Sequence, residues 1–289
     1  MNPPSYPSSR AVPAPRLPRR IVCMTEESTE TLYLLGEQQR IVGISGFTVR
    51  PPQARREKPR VSAFTSANIE RILALRPDLV LGFSDLQSDI ARELISRGVE
   101  VWISNQRSLE DILGYVLRLG AMVGASARAR RLVAQWRREM AQVARRAAAW
   151  PRRPRVYFEE WDQPMICGIR WVSELVTLAG GVDVFADLAT GSLGAQRIVA
   201  DAQEVVRRDP ELIIGSWCGK KFQPARVAAR AGWSAIAAVR DAQLHEIKSA
   251  HILQPGPAAL TDGLQALAGI VEAWQQRRGA AASAGTASA

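Results

Sequence analysis

The stretch from Ile72 to Gly82, ILALRPDLVLG, returns from Val205 to Gly215 as VVRRDPELIIG. In both, a helix-like apolar lead ends at a proline, an acid follows, and three aliphatic residues run to a glycine. Proline lacks the amide hydrogen that a continuing helix needs, so the helix must stop there. A short aliphatic run closed by glycine reads as a buried strand. One helix–strand unit written twice, far apart in 289 residues, predicts two equivalent α/β lobes rather than a short-period solenoid.

The flanking sequence agrees. RIVCM from Arg20, RIVGISG, DLVLGFS and VEVWIS read as strands. STETLYLLG, NIERILALRP, SDIARELISRG and SLEDILGYVLRLGAMVG read as helices, with Gly36 and Gly98 as C-caps. Ser108 is positioned to cap the last of these, with Asp111 three residues on. Alternating helices and apolar strands predict a parallel sheet covered on both faces. After PRRPR the order restarts: RVYFEEW parallels RIVCMTE, RWVSELVTLAGG parallels STETLYLLG, QLHEIKS closes the sheet, and PAALTDGLQALAGIVEAW is the last helix. Between the halves, Ala125 to Trp150 contains no Gly or Pro. It predicts one helix about 35–40 Å long at 1.5 Å per residue, with Leu132, Val133, Trp136, Met140 and Val143 as its apolar stripe.

The expected fold is therefore α/β: two Rossmann-like lobes joined by one long backbone helix, with a ligand cleft between them where the carboxyl ends of both sheets meet. The expected divisions are a disordered segment at 1–19, a lobe at 20–124, the linking helix at 125–150, a second lobe at 151–278 and a disordered tail at 279–289. No apolar run approaches the ~20 residues of a membrane span. The first residues have no apolar core of a secretory leader, which predicts a cytoplasmic chain, or a periplasmic one if the true start lies upstream. Cys23, Cys167 and Cys218 form no disulfide framework and suit a reducing compartment. The net charge of +10 comes mainly from arginine, densest between Arg128 and Arg155. This stretch reads as the solvated face of a helix, so nucleic acid is not the expected partner and stands as a third reading.

Several motifs carry candidate chemistry. ESTE (Glu27 to Glu30) opens a helix after the first strand, where Ser28 and Thr29 can cap the first turn and Glu26 and Glu27 suit the helix dipole. GSWCGKKF (Gly215 to Phe222) follows a strand but lacks the spacing of a phosphate loop; Lys220 and Lys221 could face a ligand's polar rim, as could Arg170 and Arg197. Cys167 and Cys218, as thiolates, could ligate a soft metal. His245 and His251 lie six apart, and His251 could be an axial ligand to haem or cobalt. Glu159, Glu160 and Asp162 in EEWD form a carboxylate cluster, with no nucleophile elbow or nucleotide fingerprint beside it. The chain is not expected to be an enzyme.

The order RIV…TE, RIVGIS, NIERILALRPDLVLG, RGVEVW, a long helix, GIRWVSELVTLAGG and DPELIIG resembles the class III, helical-backbone substrate-binding proteins of metal-chelate ABC importers, over about Arg20 to Trp274. EEWDQPMICGIRWVSEL and IKSAHILQPGPAALTDGL most resemble chains that bind cobalamin. The resemblance implies a corrinoid as ligand, not as a catalytic cofactor, with haem or a ferric siderophore as alternatives. It implies aromatic packing on the chelate by Phe47, Phe64, Phe83, Trp161 and Trp217, with Trp171 in the core. Arg170, Lys220 and His251 join the expected ligand site. It also implies an ABC permease as partner, docked by one glutamate per lobe: Glu70, and in lobe two Glu204, because Gln203 occupies the matching position. A cytoplasmic corrinoid- or metal-handling role using Cys and His is the other alternative.

Overall fold

The computed structural model describes residues 16–286, so the first 15 positions of the expected 1–19 segment and positions 287–289 lie outside the described residues. In lobe one, strands β1 (Ile21–Cys23), β2 (Ile41–Ser45), β3 (Arg60–Ser62), β4 (Leu79–Phe83) and β5 (Val101–Ser104) form a sheet in the order β3-β2-β1-β4-β5. Every pairing is parallel. Helices α1 (Glu26–Leu35), α2 (Ala54–Glu57), α3 (Ile69–Ala74), α4 (Ser88–Ser96) and α5 (Leu109–Met122) connect and cover it. Gly36 ends α1 with φ +78°, a conformation that costs glycine little. Ser108 caps α5, and its own N–H donates to Asp111, closing a capping box.

The repeated phrase has a physical basis. Strand β4 lies directly beside β1, and its counterpart β9 (Leu212–Gly215) lies beside β6 (Arg155–Asp162). The residue before each proline, Arg76 or Asp209, has a positive φ, so the chain turns sharply from helix into strand. The acid after each proline then holds the start of the neighbouring strand. Asp78 accepts the Arg19 and Arg20 N–H groups, both at 2.8 Å, and Glu211 accepts that of Arg155 at 3.1 Å. In return, the arginine that opens each first strand closes the helix of the phrase. Arg20 Nε donates to the Leu75 carbonyl at 3.0 Å and Arg155 Nε to that of Asp209 at 2.7 Å. The closing glycines are required by close approach: a Cβ on Gly82 would meet Gln87 and Ile103, and one on Gly215 would overlap the Phe222 ring.

Lobe two departs from lobe one in one respect. Its sheet runs β10-β9-β6-β7, where β7 (Met165–Cys167) turns back antiparallel on the far half of β6, and β8 (Val182–Asp183) pairs parallel with the near half. Helices α7 (Arg170–Leu178), α8 (Ala202–Arg208), α9 (Pro224–Ala228) and α10 (Ala237–Arg240) precede β10 (Leu244–Glu246) and α11 (Ser249–Ile252). A π-helical turn, Ala259–Gly263, leads into α12 (Leu264–Thr286). Helix α12 as described extends through positions 279–286 of the expected tail.

The linking helix α6 spans Ser126–Ala148 and is not free-standing. Ala129, Val133, Trp136, Val143 and Ala147 are buried on it. One apolar core runs from Cys23 and Leu32 through Val116, Val133 and Trp136 to Trp171, Leu175, Leu260 and Trp274. Trp171, expected in the core, donates its indole N–H to the Ile252 carbonyl at 2.9 Å.

Candidate functional site

A cavity of about 1060 Å³ opens between the lobes. Lobe one supplies Glu30, Tyr33 and Leu34 of α1, Gln38, and the loop from Val49 to Gln53 after β2. Lobe two supplies Trp217 to Lys221 after β9 and Glu246 to His251 after β10, with Cys218 not among the lining residues. These lobe-two segments follow the carboxyl ends of parallel strands, where open α/β sheets present their loops to ligands. The seam below the cavity is tied by polar contacts. Gln106 donates to the Pro255 carbonyl at 3.0 Å, and the Ala258 N–H donates to Glu30 at 3.1 Å. Arg50 bridges Glu30 at 2.8 Å and Asp262 at 2.7 Å.

The first two turns of α1 carry three buried glutamates, Glu26 and Glu27 in the first turn and Glu30 in the second. The expectation that Ser28 and Thr29 cap the first turn does not hold: both hydroxyls donate back to the Thr25 carbonyl. The turn is buried, so its amides are not offered to a ligand. Burial, and then the charge of neighbouring Glu27, pushes the Glu26 carboxyl up to about 8. Burial likewise pushes Glu27 up to about 7, against the Thr25 hydroxyl bond that favours its charged form. Glu30 is also raised by burial, although Arg50 opposes this.

Of the residues expected to bind ligand, the structure brings Trp217, Lys220 and His251 to the cavity. Trp217 is a wall rather than a platform: it is buried, packs edge-on against Phe222, and donates its indole N–H to Glu159 at 3.0 Å. Trp161 is covered by Lys220, whose Nζ sits 4.1 Å from its ring centroid while bonded to Asp162. Five of the expected residues, Trp161 among them, are not in the cavity lining. Phe47 is exposed in the loop just before Val49. Phe64 is half-buried before α3, with its carbonyl taken by Gln87. Phe83 is buried beneath the Arg107 guanidinium, 4.8 Å from its ring centroid. Arg170 faces solvent, tied to Glu174 at 2.9 Å. Strand-end position alone overpredicts these residues, because the chain turns inward at Phe83 and onto its own helix at Arg170.

The proposed metal ligands fare differently. Cys167 is buried, and desolvation pushes its thiol up to about 12. Cys218 is exposed. Among the described residues no group of three or more His, Cys, Asp and Glu could hold a metal ion, so the Cys167–Cys218 expectation has no supporting ligand set. The EEWD carboxylates are each matched by cations: Glu159 with Arg230, Glu160 with Arg197, and Asp162 with Lys220 and Arg226. They are structural ion pairs rather than a hard-metal or acid–base site. Cys23 is buried, and its thiol is pushed up to about 12 by desolvation. His245 stands on β10 away from the cavity lining, with its pKa lowered by burial and by Arg277.

Glu70 and Glu204 sit in the first turns of α3 and α8, the matching helices of the two lobes. Glu70 is exposed, with Arg97 at 3.1 Å. Glu204 is gripped by Arg207 at 2.6 Å and Arg208 at 2.8 Å. Reading the sequence missed the lobe-one wall, Glu30 to Gln38 and Val49 to Gln53. Its available signal was VRPPQ (Val49 to Gln53), a proline-stiffened loop a few residues after a strand.

A family model described as periplasmic binding protein matches residues 21–250. A cobalamin-binding protein of Halobacterium salinarum is 24% identical over 256 residues, covering 86% of this chain and 69% of that one. A vitamin B12-binding protein of Vibrio cholerae is 30% identical over 185 residues, covering 63% of this chain and 65% of that one. Among solved structures, the periplasmic vitamin B12-binding protein of Vibrio cholerae superposes with a TM-score of 0.72 at 23% identity, covering 90% of this chain and 99% of that one. A periplasmic haem-binding protein from Roseiflexus, in its apo form, superposes with a TM-score of 0.73 at 22% identity, covering 88% and 99%.

Proposed function

The chain belongs to the periplasmic binding protein family, and from that premise we propose that it is a non-enzymatic receptor for a metal chelate of corrinoid type, held between the lobes and delivered to an ABC permease. The observation that carries this reading is the inter-lobe cavity of about 1060 Å³, walled by both lobes. Small-molecule sites commonly span about 300–1,000 Å³, so this one has room for a macrocycle. Trp217, Tyr33, Leu34 and two prolines supply apolar wall, and lysines supply polar contacts at the rim. The names of the relatives favour a corrinoid, while haem remains the second reading because of the haem-binding structural neighbour. Glu70 and Glu204, matched in position across the lobes, are the proposed permease contacts. No described helix is long and apolar enough to cross a membrane. The chain's place of action is the periplasmic side, where such a permease collects cargo.

Calorimetric titration of the purified chain with cyanocobalamin, haemin and a ferric siderophore tests the reading. One-to-one corrinoid binding at micromolar strength or tighter, about −8 kcal/mol or better, is the expected result. Absence of binding to all three overturns it.

A further inference from the structure

The charges lining the cleft are not all matched. Glu30 is satisfied by Arg50 and the Ala258 N–H, and Arg50 also holds Asp262. Lys220 is engaged with Asp162, which Arg226 approaches at 3.3 Å. Lys221 and Lys248 are exposed, line the same cavity, and among the described residues have no ion-pair partner. Glu246 on the rim accepts the Phe222 N–H at 3.1 Å and offsets one of these two charges. His251 adds an imidazole to the same wall. Lobe two therefore presents a surplus of positive charge to whatever fills the cavity, while the lobe-one carboxylate facing it is already neutralised by Arg50.

We infer that the cleft selects chelates bearing an acidic group on their rim, with Lys221 and Lys248 as the groups that meet it; this deepens, and rests on, the chelate-binding reading above. An ammonium on a flexible stem can follow an acid without fixed geometry, and a charge-assisted hydrogen bond is stronger than a neutral one. The ligand body would exclude water from the cavity, so the contact is screened less than an open surface pair. A carboxylate and a phosphodiester both satisfy this chemistry.

Two pairs of probes test it: haemin against its dimethyl ester for the carboxylate, and cyanocobalamin against dicyanocobinamide, which lacks the phosphodiester together with its ribose and base, so that for this pair the lysine variant below assigns the difference to the acid. In at least one pair the acid-bearing member should bind about tenfold more tightly, equivalent to about 1.4 kcal/mol. The double variant Lys221→Ala/Lys248→Ala should abolish that difference by weakening the acid-bearing member about tenfold more than the acid-free one. Both side chains are exposed, so folding is not at stake, and circular dichroism checks this. Equal affinity within both pairs, or an equal loss for both members in the variant, overturns the inference while leaving a chelate-binding cleft in place. No binding of any macrocycle overturns the chelate-binding reading and this inference with it.

Discussion

Replacing Glu27 by glutamine should make the protein less sensitive to alkali. Glu27 is buried in the first turn of α1, and burial raises its carboxyl from the usual 4.5 to about 7. A carboxyl raised in the folded state stays protonated there while the unfolded chain ionises. The unfolded state then binds fewer protons, so stability falls as pH rises from about 4.5 and levels off above about 7. At 1.36 kcal/mol per pH unit, the gap corresponds to about 3 kcal/mol of stability lost by pH 8, of which ~2 kcal/mol is lost between pH 5 and pH 8. The glutamine variant is isosteric, keeps an oxygen to accept the Thr25 hydroxyl, and cannot ionise. Urea unfolding of both proteins at pH 5 and pH 8 reads this term together with the relief of neighbouring Glu26, whose carboxyl the Glu27 charge helps to raise and which therefore shifts in the same direction; groups not in contact with Glu27 cancel in the double difference. The variant should gain ~2 kcal/mol on the wild type across that interval. An unchanged difference between the two proteins at the two pH values would show that Glu27 is not held protonated, and the burial argument would fail.

Gly215→Ala places a methyl group against the buried Phe222 ring and should cost about 1–3 kcal/mol by overpacking; an unchanged thermal midpoint would contradict the packing. Arg50→Ala leaves Glu30 buried without its cation and should destabilise by roughly 2 kcal/mol, reduced from the fully buried case because Arg50 is partly exposed. If Arg50→Ala melts like the wild type, the bridge does not hold the seam. Cys218 is exposed while Cys23 and Cys167 are buried with thiols near 12, so Ellman's reagent at pH 8 should titrate one thiol rapidly and two more only after denaturation. Three fast thiols would refute the assigned burial.

The two lobes were legible because the repeated phrase does local work: a proline stop, an acid that takes the amides of the adjoining strand, and a glycine that lets a side chain approach. Such signals need only near neighbours. The cavity wall was not legible, because which loops meet across a cleft depends on how two complete lobes face each other. Val49 to Gln53 and Tyr33 reach the cavity through that juxtaposition. The same cause hides the glutamates of α1. Acids in a first helical turn ordinarily face water and suit the dipole, but here the segment from Gly256 to Asp262 folds over them from the other end of the chain. Phe83 was misplaced for a subtler reason. It is the last residue of β4 rather than the first after it, its amide is held by Gln87 and its ring lies under Arg107, contacts that strand-end position does not reveal.

The apolar core that passes unbroken from Leu32 through Trp136 to Trp274 bears on how this molecule came to be divisible in sequence but not in substance. Two halves written in the same idiom share one interior. Cutting between α6 and β6 would strip Val133, Trp136 and Val143 of neighbours contributed by the other half, and would bare Trp171 and Leu175 in turn. Neither fragment should fold alone, and the whole should melt in one cooperative step. Two fragments expressed together should find each other, because each is the missing wall of its partner's interior.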